Sequence, residues 1–512
     1  MKRIIYIIIG VSCLSASCPT RAQERSLIDS LQYRAEVQAT AASGDHNPLW
    51  LNANKYGLSS LKTKNGYLRG SLERPLALDD GRKWGVGYGV DAAVAAGFTS
   101  TLIVQQAYVE ARWLKGTLTV GAKEQPMELK NQELSTGSQA LGINARPVPQ
   151  VRLALPDYWT IPHTRNWLAL KGHIAYGKTT DDKWQKDFVS AHNRYTEGTL
   201  YHSKAGYLRV GPRNITLELG LEMACQFGGK SYYEKDGQLV VMDNGGGLKS
   251  FWHAFIPGGS GSDESGSNYK NSEGNQLGSW VMRLNIDQPA WNLGVYADHY
   301  FEDHSSMFML DYNGYGEGSE WDVKKDSRFF LYDFKDMMLG AELHLKQIDW
   351  LNRIVVEYLY TKYQSGPVYH DHSPFISSHL GGRDDYYNHH LFTGWQHWGQ
   401  VLGNPLYRSP LYNDDGTIKV ADNRFVAWHL GVSGQPLAPL HYRLLATYQT
   451  GLGTYLDPFT GRQYNLSLLG EASWQFPHDW LVRCALAMDK GKLLGDNYGF
   501  QVSIIKTGIL TR

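Results

Sequence analysis

The sequence has few cysteines, and their scarcity limits how the fold is stabilised. Only 4 of the 512 residues are cysteine, and the two beyond the N-terminal segment are Cys225 and Cys484. An exported protein that depends on disulfides normally carries more cysteines, in even numbers. No CxxC or other zinc-binding cysteine spacing occurs. We therefore expect packing and hydrogen bonds to hold the fold.

The chain also lacks an excess of charge of either sign. Lys plus Arg is 50 and Asp plus Glu is 50, so the formal net charge is +0. Binding to nucleic acid usually requires a basic surplus that neutralises phosphates. The balance therefore gives no reason to expect a nucleic-acid partner.

Long hydrophobic runs are absent after the first residues, although a transmembrane helix needs about 20 apolar residues. The apolar run from Ile4 to Ala16 follows Lys2 and Arg3 and precedes small residues, which is typical of a secretory signal. We predict a signal peptide over 1–22, cleaved after Ala22. Lipidation of Cys18 is the alternative, which the lack of a leucine three residues earlier disfavours.

Aromatic residues and glycine are abundant instead, with 32 Tyr, 16 Trp, 16 Phe and 54 Gly. Tyrosine and tryptophan combine an apolar ring with a polar tip, so their excess indicates rings at a boundary between apolar and wet surroundings. Many of these aromatics fall at the ends of predicted strands, where the interface girdle of a membrane barrel belongs.

Apolar and polar residues alternate in many segments of about ten residues, which is the period of a β-strand. Ala35 and Val37, for example, alternate with Glu36 and Gln38. In a soluble sandwich the apolar set faces a dry core, whereas in a transmembrane barrel it faces lipid and the polar set faces a wet lumen. The alternation alone does not distinguish the two.

The number and spacing of the strands favour the barrel. We count about 18 candidates, an even number within the range of single-chain outer-membrane barrels. The count includes a strand that starts near residue 386 and none within 124–165. A large extracellular sandwich or propeller is the alternative, but no repeat of roughly 40–50 residues supports a propeller. The predicted fold is all-β: a transmembrane antiparallel β-barrel over 23–512 with a helical or irregular plug.

The connections are very unequal in length, as short turns on one rim and long loops on the other require. Pro147 and Pro149 disfavour both helix and central strand, so 124–165 is predicted to be a long non-strand insertion that enters or caps the barrel. The predicted surface loops are 227–277, 303–336, 364–385 and 396–423.

No pattern in the chain compels an enzymatic reading. The glycine-rich stretch near Gly245 and Gly258 is not followed by the Gly-Lys-Ser/Thr of a phosphate-binding loop, and no serine lies in a Gly-x-Ser-x-Gly turn. Several histidines lie close together in the C-terminal half of the sequence, and a metal site is the less favoured interpretation of them. They are His370, His372, His379, His389, His390 and His397. We predict no catalytic residues, no metal and no cofactor.

Two segments have a more specific composition. Around residue 386, paired tyrosines with neighbouring Asp, Asn and Trp supply stacking faces and hydrogen-bonding groups of the kind that bind sugars. A rigid turn-rich loop is the equally weighted alternative. The candidate polysaccharide-binding residues are Asp384, Asp385, Tyr386, Tyr387, Asn388, Trp395 and Trp398. The candidate structural residues are Asn144, Arg146, Pro147, Pro149, Asn404 and Pro405.

These segments resemble the Wzi-type capsule-assembly proteins of Gram-negative outer membranes. The resemblance is carried by 144–149, 385–388, 394–395 and 403–405, together with 46–51 near the N-terminus. In order and spacing it extends over 27–510. It implies an 18-stranded outer-membrane barrel with one end plugged, as in that family. The chain departs from many barrels in ending on Thr511-Arg512 rather than on an aromatic residue.

The resemblance also implies a role, which is to associate with capsular polysaccharide and attach it to the cell surface without catalysis. The expected partners are that polysaccharide, outer-membrane lipid and the barrel-assembly machinery. An outer-membrane porin or nutrient channel is the alternative, because an open barrel would have the same strand pattern.

Overall fold

The computed structural model describes residues 30–257, 273–302, 308–331, 335–369, 374 and 380–510. Its main element is one 18-stranded antiparallel sheet in which sequence neighbours pair and the last strand, β27, pairs with the first, β1. The sheet is therefore a closed up-and-down barrel without free edges. Its strands are β1 Gln32–Ser43, β2 Lys64–Arg74, β3 Trp84–Ala96, β4 Leu102–Trp113, β5 Gly116–Ala122, β6 Gln150–Thr160, β7 Leu168–Lys178, β9 Leu200–Val210, β10 Ile215–Phe227, β13 Asn275–Asp287, β14 Trp291–Glu302, β17 Met337–Leu345, β18 Arg353–Tyr360, β23 Phe425–Leu437, β24 Leu440–Gly453, β25 Pro458–Phe476, β26 Trp480–Gly491 and β27 Asn497–Ile509.

Smaller elements lie in the connections. Among the residues that the structure describes, three short α-helices span Leu49–Asn52, Asp182–Phe188 and Leu248–Phe255. The remaining strands are β8 Tyr195–Glu197, β11 Lys230–Lys235, β12 Gln238–Asp243, β15 Phe308–Tyr312, β16 Ser327–Leu331, β19 Ser365–Tyr369, β20 Leu380–Arg383, β21 Gln396–His397 and β22 Gln400–Val401. Within the described part of the chain, no helix is both long enough and apolar enough to cross a membrane.

The alternation of the strands places apolar residues outside and polar residues inside. In β1, Val37 is 50% exposed on the outer face, while Glu36 and Gln38 are each 5% exposed and point into the lumen. Leu68 and Val94 continue the exposed apolar surface on β2 and β3. This is the inverted arrangement of a transmembrane barrel, and it confirms the predicted fold class.

The two rims of the barrel differ. One rim carries the start of β1, the end of β27 and short turns, and we call it the short-turn rim. The other carries the long connections, and we call it the loop rim. In outer-membrane barrels, short turns face the periplasm and long loops face outward. The short turns are 75–83, 114–115, 161–167, 211–214, 288–290, 346–352, 438–439 and 477–479. The longest connections on the loop rim are 123–149, 179–199, 228–274, 303–336 and 361–424.

The predicted number of strands is right, but two of the strand positions are wrong. Gln150–Thr160 is a barrel strand, so the insertion predicted over 124–165 ends at residue 149. Pro156 is accommodated where the pairing of β6 with β7 shifts register between Leu155 and Trp159, so it removes no regular ladder bond. The strand predicted near residue 386 does not exist, because Tyr386 and Tyr387 lie inside the barrel.

Exposed tryptophans line the short-turn rim. Trp84 and Trp113 stack on each other with ring centroids 5.9 Å apart, and both are more than half exposed. Trp159, Trp167 and Trp350 extend this set, which forms one aromatic girdle. Tyr300 also lies near a strand end, that of β14, but it points into the lumen and is 1% exposed.

Candidate functional site: the plug and the loop face

Connections from the loop rim fold into the lumen and fill its upper and middle part. We call the three segments 44–63, 123–149 and 384–424 together the plug. Its apolar residues, among them Trp50, Leu134, Trp395 and Tyr407, form one cluster with inward residues of the barrel wall. The plug and the barrel wall therefore pack against each other as a protein core does.

Glu357 on β18 anchors the descending segment 123–149. It is fully buried, and its carboxylate accepts hydrogen bonds from Ser135 Oγ at 2.5 Å, Thr136 N at 2.8 Å, Thr136 Oγ1 at 2.7 Å and Tyr296 Oη at 2.6 Å. His429 bonds the Leu134 carbonyl oxygen through Nε2 at 2.7 Å. A buried charge with four donors is satisfied without a cationic partner.

A buried ion pair holds the same segment to β14, two strands along the wall from β18. Lys130 Nζ lies 2.7 Å from Asp298 Oδ2, and both side chains are almost completely buried. Burial opposes the charge of Lys130, but Asp298 and neighbouring carboxylates outweigh burial and raise the pKa of Lys130. Asp298 Oδ2 also accepts the Gln139 N–H at 3.1 Å. The segment is thus tied at two points to the same part of the barrel wall, β14 to β18.

A cluster of aromatic rings closes the plug beneath the loop rim. Tyr387 stacks on Tyr407 with centroids 4.0 Å apart, and Tyr300 meets Tyr386 edge to face at 4.7 Å. Tyr387 Oη donates to the Gln139 carbonyl oxygen and accepts the Asn404 N–H at 2.9 Å. Burial, the largest cause, raises the pKa of both Tyr386 and Tyr387 well above its usual value.

Three of the predicted sugar-binding residues therefore have no accessible ring. Tyr386, Tyr387 and Trp395 are each 0% exposed, and Trp395 Nε1 donates to the Ala140 carbonyl oxygen at 2.9 Å. A ring without an exposed face does not stack on a glycan. These residues are structural members of the plug, which corrects the expectation that the whole group forms a binding surface.

The acidic and amide members of that group also make internal contacts. Asp385 Oδ1 accepts a hydrogen bond from Asn423 Nδ2 at 2.6 Å, and burial raises the pKa of Asp385. Asn388 bonds both backbone groups of Val420, at 2.9 and 2.8 Å. Asp384 is 8% exposed. The hydrogen bonds of Asp385 and Asn388 fix the path of the segment 384–424.

Trp398 is the aromatic member of the group that stays partly accessible, as Asp385 and Asn388 also do. It occupies the two-residue turn between β21 and β22 with φ of +57°, followed by Gly399 with φ of +80°, which is the geometry of a type I′ hairpin turn. The Arg146 guanidinium lies 4.4 Å from the ring centroid, and Nε1 donates to Thr180 Oγ1 at 3.2 Å. A tryptophan in the left-handed region is strained, and strain of this kind concentrates at functional sites.

The candidate structural residues join the segments of the plug. Asn144 Nδ2 donates to the Val401 carbonyl oxygen at 3.0 Å, and its Oδ1 accepts the Asn54 N–H at 3.1 Å. Asn404 Nδ2 donates to the Gly137 carbonyl oxygen at 2.8 Å, and Pro405 follows it in the core. Pro147 and Pro149 lead the chain from the plug into β6. These contacts connect residues distant in sequence.

The histidines do not assemble into a metal site in the part of the chain that the structure describes. No group of three or more His, Cys, Asp or Glu side chains there has metal-binding geometry. His397 Nδ1 bonds the Arg146 carbonyl oxygen at 2.9 Å and its Nε2 accepts the Thr180 N–H at 3.1 Å. His370, His372 and His379 lie outside the described residues.

Below the plug, two polar cavities occupy the half of the lumen toward the short-turn rim. The first, of about 700 Å³, is lined by Arg209, Glu218, Arg283 and Glu342 among others. The second, of about 320 Å³, is lined by Glu471 among others. Glu471 Oε1 lies 2.9 Å from Arg443 Nε and 3.7 Å from Arg483 Nε. We did not predict from the sequence that these residues line cavities, although they belong to the polar half of the strand alternation.

The loop rim carries a second partly exposed aromatic surface, also missed. Tyr195 on β8 and Tyr232 on β11 stack with centroids 4.7 Å apart and planes within 2° of parallel. Lys186 lies 5.7 Å from the Tyr195 ring, and Arg194 lies 5.5 Å from the Tyr233 ring. Rings flanked by charged and hydrogen-bonding groups are a chemistry suited to saccharides.

Comparison with known proteins supports the fold. No family model and no curated protein matches the chain. Among solved structures, the chain is similar to Wzi of Escherichia coli, described as a carbohydrate-binding β-barrel of the outer membrane involved in group 1 capsule assembly. The TM-score is 0.54 with 14% sequence identity, over 94% of this chain and 84% of that one. Pseudomonas aeruginosa OprD matches at a TM-score of 0.44 with 10% identity, over 97% of this chain and 100% of that one.

The fold and its interior define the class of the protein. It is a closed 18-stranded antiparallel β-barrel of the outer-membrane type. Its own loops fill the upper lumen. At 14% identity the likeness to Wzi establishes this fold and not membership of the Wzi family.

Proposed function

We propose that this protein is a non-enzymatic outer-membrane barrel that binds a surface polysaccharide, of the capsular type, and helps retain it at the cell surface. The observation that carries the proposal is the plug. A barrel whose lumen is packed by its own loops leaves its outward loop face as the surface for a partner, whereas an open pore offers its lumen.

The plug is secured by contacts that a passing solute would have to break. Glu357, the Lys130–Asp298 pair and the Tyr387 hydroxyl bond the plug to the wall and to itself at separate points. Removing any one of them leaves a buried polar group unpaired, which costs about 1–3 kcal/mol for a neutral group and more for a charge. A network of this kind is suited to a fixed closure.

The loop face offers two aromatic sites for a glycan. The Trp398 ring and the Tyr195–Tyr232 pair are partly exposed, and the exposed Lys186 supplies a hydrogen-bond donor beside the pair. Cationic donors beside rings suit a polysaccharide that carries acidic sugars. The carbohydrate binding described for Wzi, a barrel of the same fold, supports this choice of ligand.

The direct test is binding of purified capsular polysaccharide to the detergent-solubilised protein, measured by isothermal calorimetry. We expect Trp398→Ala and Tyr232→Ala each to weaken binding by roughly 2- to 10-fold, the equivalent of about 0.5–1.5 kcal/mol per stacking contact. Trp113→Ala removes a ring of the girdle on the opposite rim and is the matched control. Equal affinity of wild type and both loop-face variants would refute these sites.

A transport channel is the second candidate, favoured by the two polar cavities in the lower lumen. Ionisable side chains that line a water-filled space are typical of solute paths. Single-channel recording in planar bilayers separates the two functions. A plugged barrel gives little steady conductance, and a large steady conductance of the wild type would support the channel.

A further inference from the structure

A concave groove lies on the outer wall of the barrel. Its volume is about 1260 Å³, and it lies on the barrel strands β6, β7, β9, β10, β13, β14 and β17. Its outward side chains include Leu153, Ile174, Leu219, Met282 and Leu339. Pockets of about 300–1,000 Å³ already bury a drug-sized ligand. The groove is therefore large enough for several acyl chains, and its apolar lining is continuous with the lipid-facing surface of the barrel.

A glycine forms part of the floor of the groove. Gly206 on β9 is exposed on the outer face, and a Cβ atom placed there would meet no heavy atom within 4 Å. A larger side chain at this position would project into the groove without disturbing the wall. On β2, Gly70 is also outward, exposed and free of neighbours within 4 Å, but it lies away from the groove.

The helix Leu248–Phe255 lies against the outer wall above the groove, on the side of the loop rim. Its Ala254 and Phe251 pack on Cys225 and Phe227, which point outward from β10. Tyr176 Oη donates to the Phe251 carbonyl oxygen at 2.9 Å. The helix thus covers outward residues of the wall that would otherwise face lipid.

An outward-facing cation fixes the end of this helix. Lys204 on β9 points away from the lumen, where a charge facing lipid is costly. Its Nζ donates to the carbonyl oxygen of Phe255, in the last turn of the helix, and lies 5.0 Å from the Phe255 ring. A cation at a helix C-terminus is favourable because the last carbonyl groups carry negative partial charge.

The opposite face of the helix is apolar, and no described residue covers it. Leu248, Trp252 and Ile256 are 91%, 59% and 49% exposed, and their spacing of four residues places them in one row. Rows of this kind lie in the membrane interface in amphipathic helices, where the buried apolar area provides the binding energy. The exposed cations Lys178 and Lys249 lie at the same rim.

We propose that this groove and the helix above it form a binding site for a multi-chain anionic lipid of the outer leaflet, of the lipopolysaccharide type. The acyl chains occupy the groove over Gly206, the row Leu248, Trp252 and Ile256 lies among neighbouring chains, and Lys178 and Lys249 face the phosphates. The site depends on the barrel's lying in a bilayer and is independent of the glycan-binding loop face.

The test is native mass spectrometry of the purified full-length protein in mild detergent, titrated with rough-type lipopolysaccharide. We expect the wild type to retain one lipid and Gly206→Trp to bind it at least 10-fold more weakly, the scale of about 1.4 kcal/mol. Gly70→Trp should bind like the wild type. Equal binding by the two tryptophan variants, or no retained lipid on the wild type, would overturn the proposal.

A second pair of variants tests the site independently of Gly206. Trp252→Ser removes a ring of the helix and Trp113→Ser removes a ring that is also 59% exposed but lies at the short-turn rim. Only the former should lower lipopolysaccharide retention. Competition by phosphatidylglycerol with equal affinity would contradict the choice of lipid. Heat-modifiable gel mobility establishes that each variant is folded.

Discussion

Thr136 donates both its backbone N–H and its hydroxyl to the same carboxylate oxygen of Glu357, at 2.8 and 2.7 Å. The two residues lie far apart in sequence, one in the plug and one in the middle of strand β18. A pair of charge-assisted bonds in a fully buried setting fixes both distance and orientation. This contact therefore sets how deep the segment 123–149 sits in the lumen.

Replacing Glu357 by Gln should destabilise the plug. The amide keeps one acceptor oxygen and turns an NH₂ group toward donors, so at least one of the four buried donors loses its partner. We expect a loss of about 1–3 kcal/mol in the free energy of unfolding, measured by urea titration in micelles. Glu320→Gln, on an exposed turn, should leave the midpoint unchanged. An unchanged midpoint for Glu357→Gln would mean that the anchor contributes nothing.

The Lys130–Asp298 pair predicts a strongly non-additive pair of mutations. Lys130→Met leaves a buried carboxylate without its cation, which costs about 3–5 kcal/mol when a buried pair is broken. Adding Asp298→Leu removes the unpaired charge and should recover most of that loss. Thermal midpoints of the single and double variants complete the cycle, and additive losses would contradict the pairing.

Tyr387 predicts a link between the aromatic cluster and closure of the lumen. Tyr387→Phe keeps the ring stacked on Tyr407 but removes the hydroxyl that joins Gln139 to Asn404. We expect brief conductance steps in planar bilayers that the wild type lacks, because the two segments separate more easily. Tyr448→Phe alters a lipid-facing ring and should be silent. Identical traces for all three proteins would argue against a gating role for this hydroxyl.

Asp422 predicts a pH dependence of stability. It is fully buried in the segment before β23, and burial raises its pKa to about 7, although the Leu452 and Gly453 N–H groups and Gln449 donate to it. The folded state then binds the proton more tightly than the unfolded state, whose carboxyl titrates near 3.8. Stability from this group should fall as pH rises from about 4 to 7.

The measurement for Asp422 is the thermal midpoint of the wild type and of Asp422→Asn across that window. The asparagine variant has no titrating group here, so its midpoint should decline less with rising pH. Parallel curves for the two proteins would show that Asp422 does not account for the dependence.

Alternation along the strands, together with their number and spacing, predicted the barrel wall, because one side of each strand faces lipid and the other faces the lumen. Val37 and Glu36 show the reason. They are adjacent in β1, yet Val37 is 50% exposed on the lipid side and Glu36 is 5% exposed on the lumen side. The prediction failed at β6, because the insertion inferred from Pro147 and Pro149 extends to residue 165 and so includes this strand, which contains Pro156. A register shift absorbs the proline, and a shift of this kind depends on the partner strand.

The candidate site was less predictable, because composition does not reveal depth. Tyr386 and Tyr387 have the residue types of a sugar platform, yet the fold places them in the plug core. Trp398 follows later in the same segment and remains partly exposed, because a hairpin turn brings it toward the surface. The Tyr195–Tyr232 stack joins two separate connections, so no local pattern predicts it.

We propose that the loop face retains a polysaccharide at the cell surface. The most direct measurement is the partition of capsular polysaccharide between cells and medium in a strain that lacks this protein. We expect normal synthesis with a shift into the medium, restored by the wild-type gene and by Trp113→Ala but only in part by Trp398→Ala. An unchanged partition in the deleted strain would contradict this function.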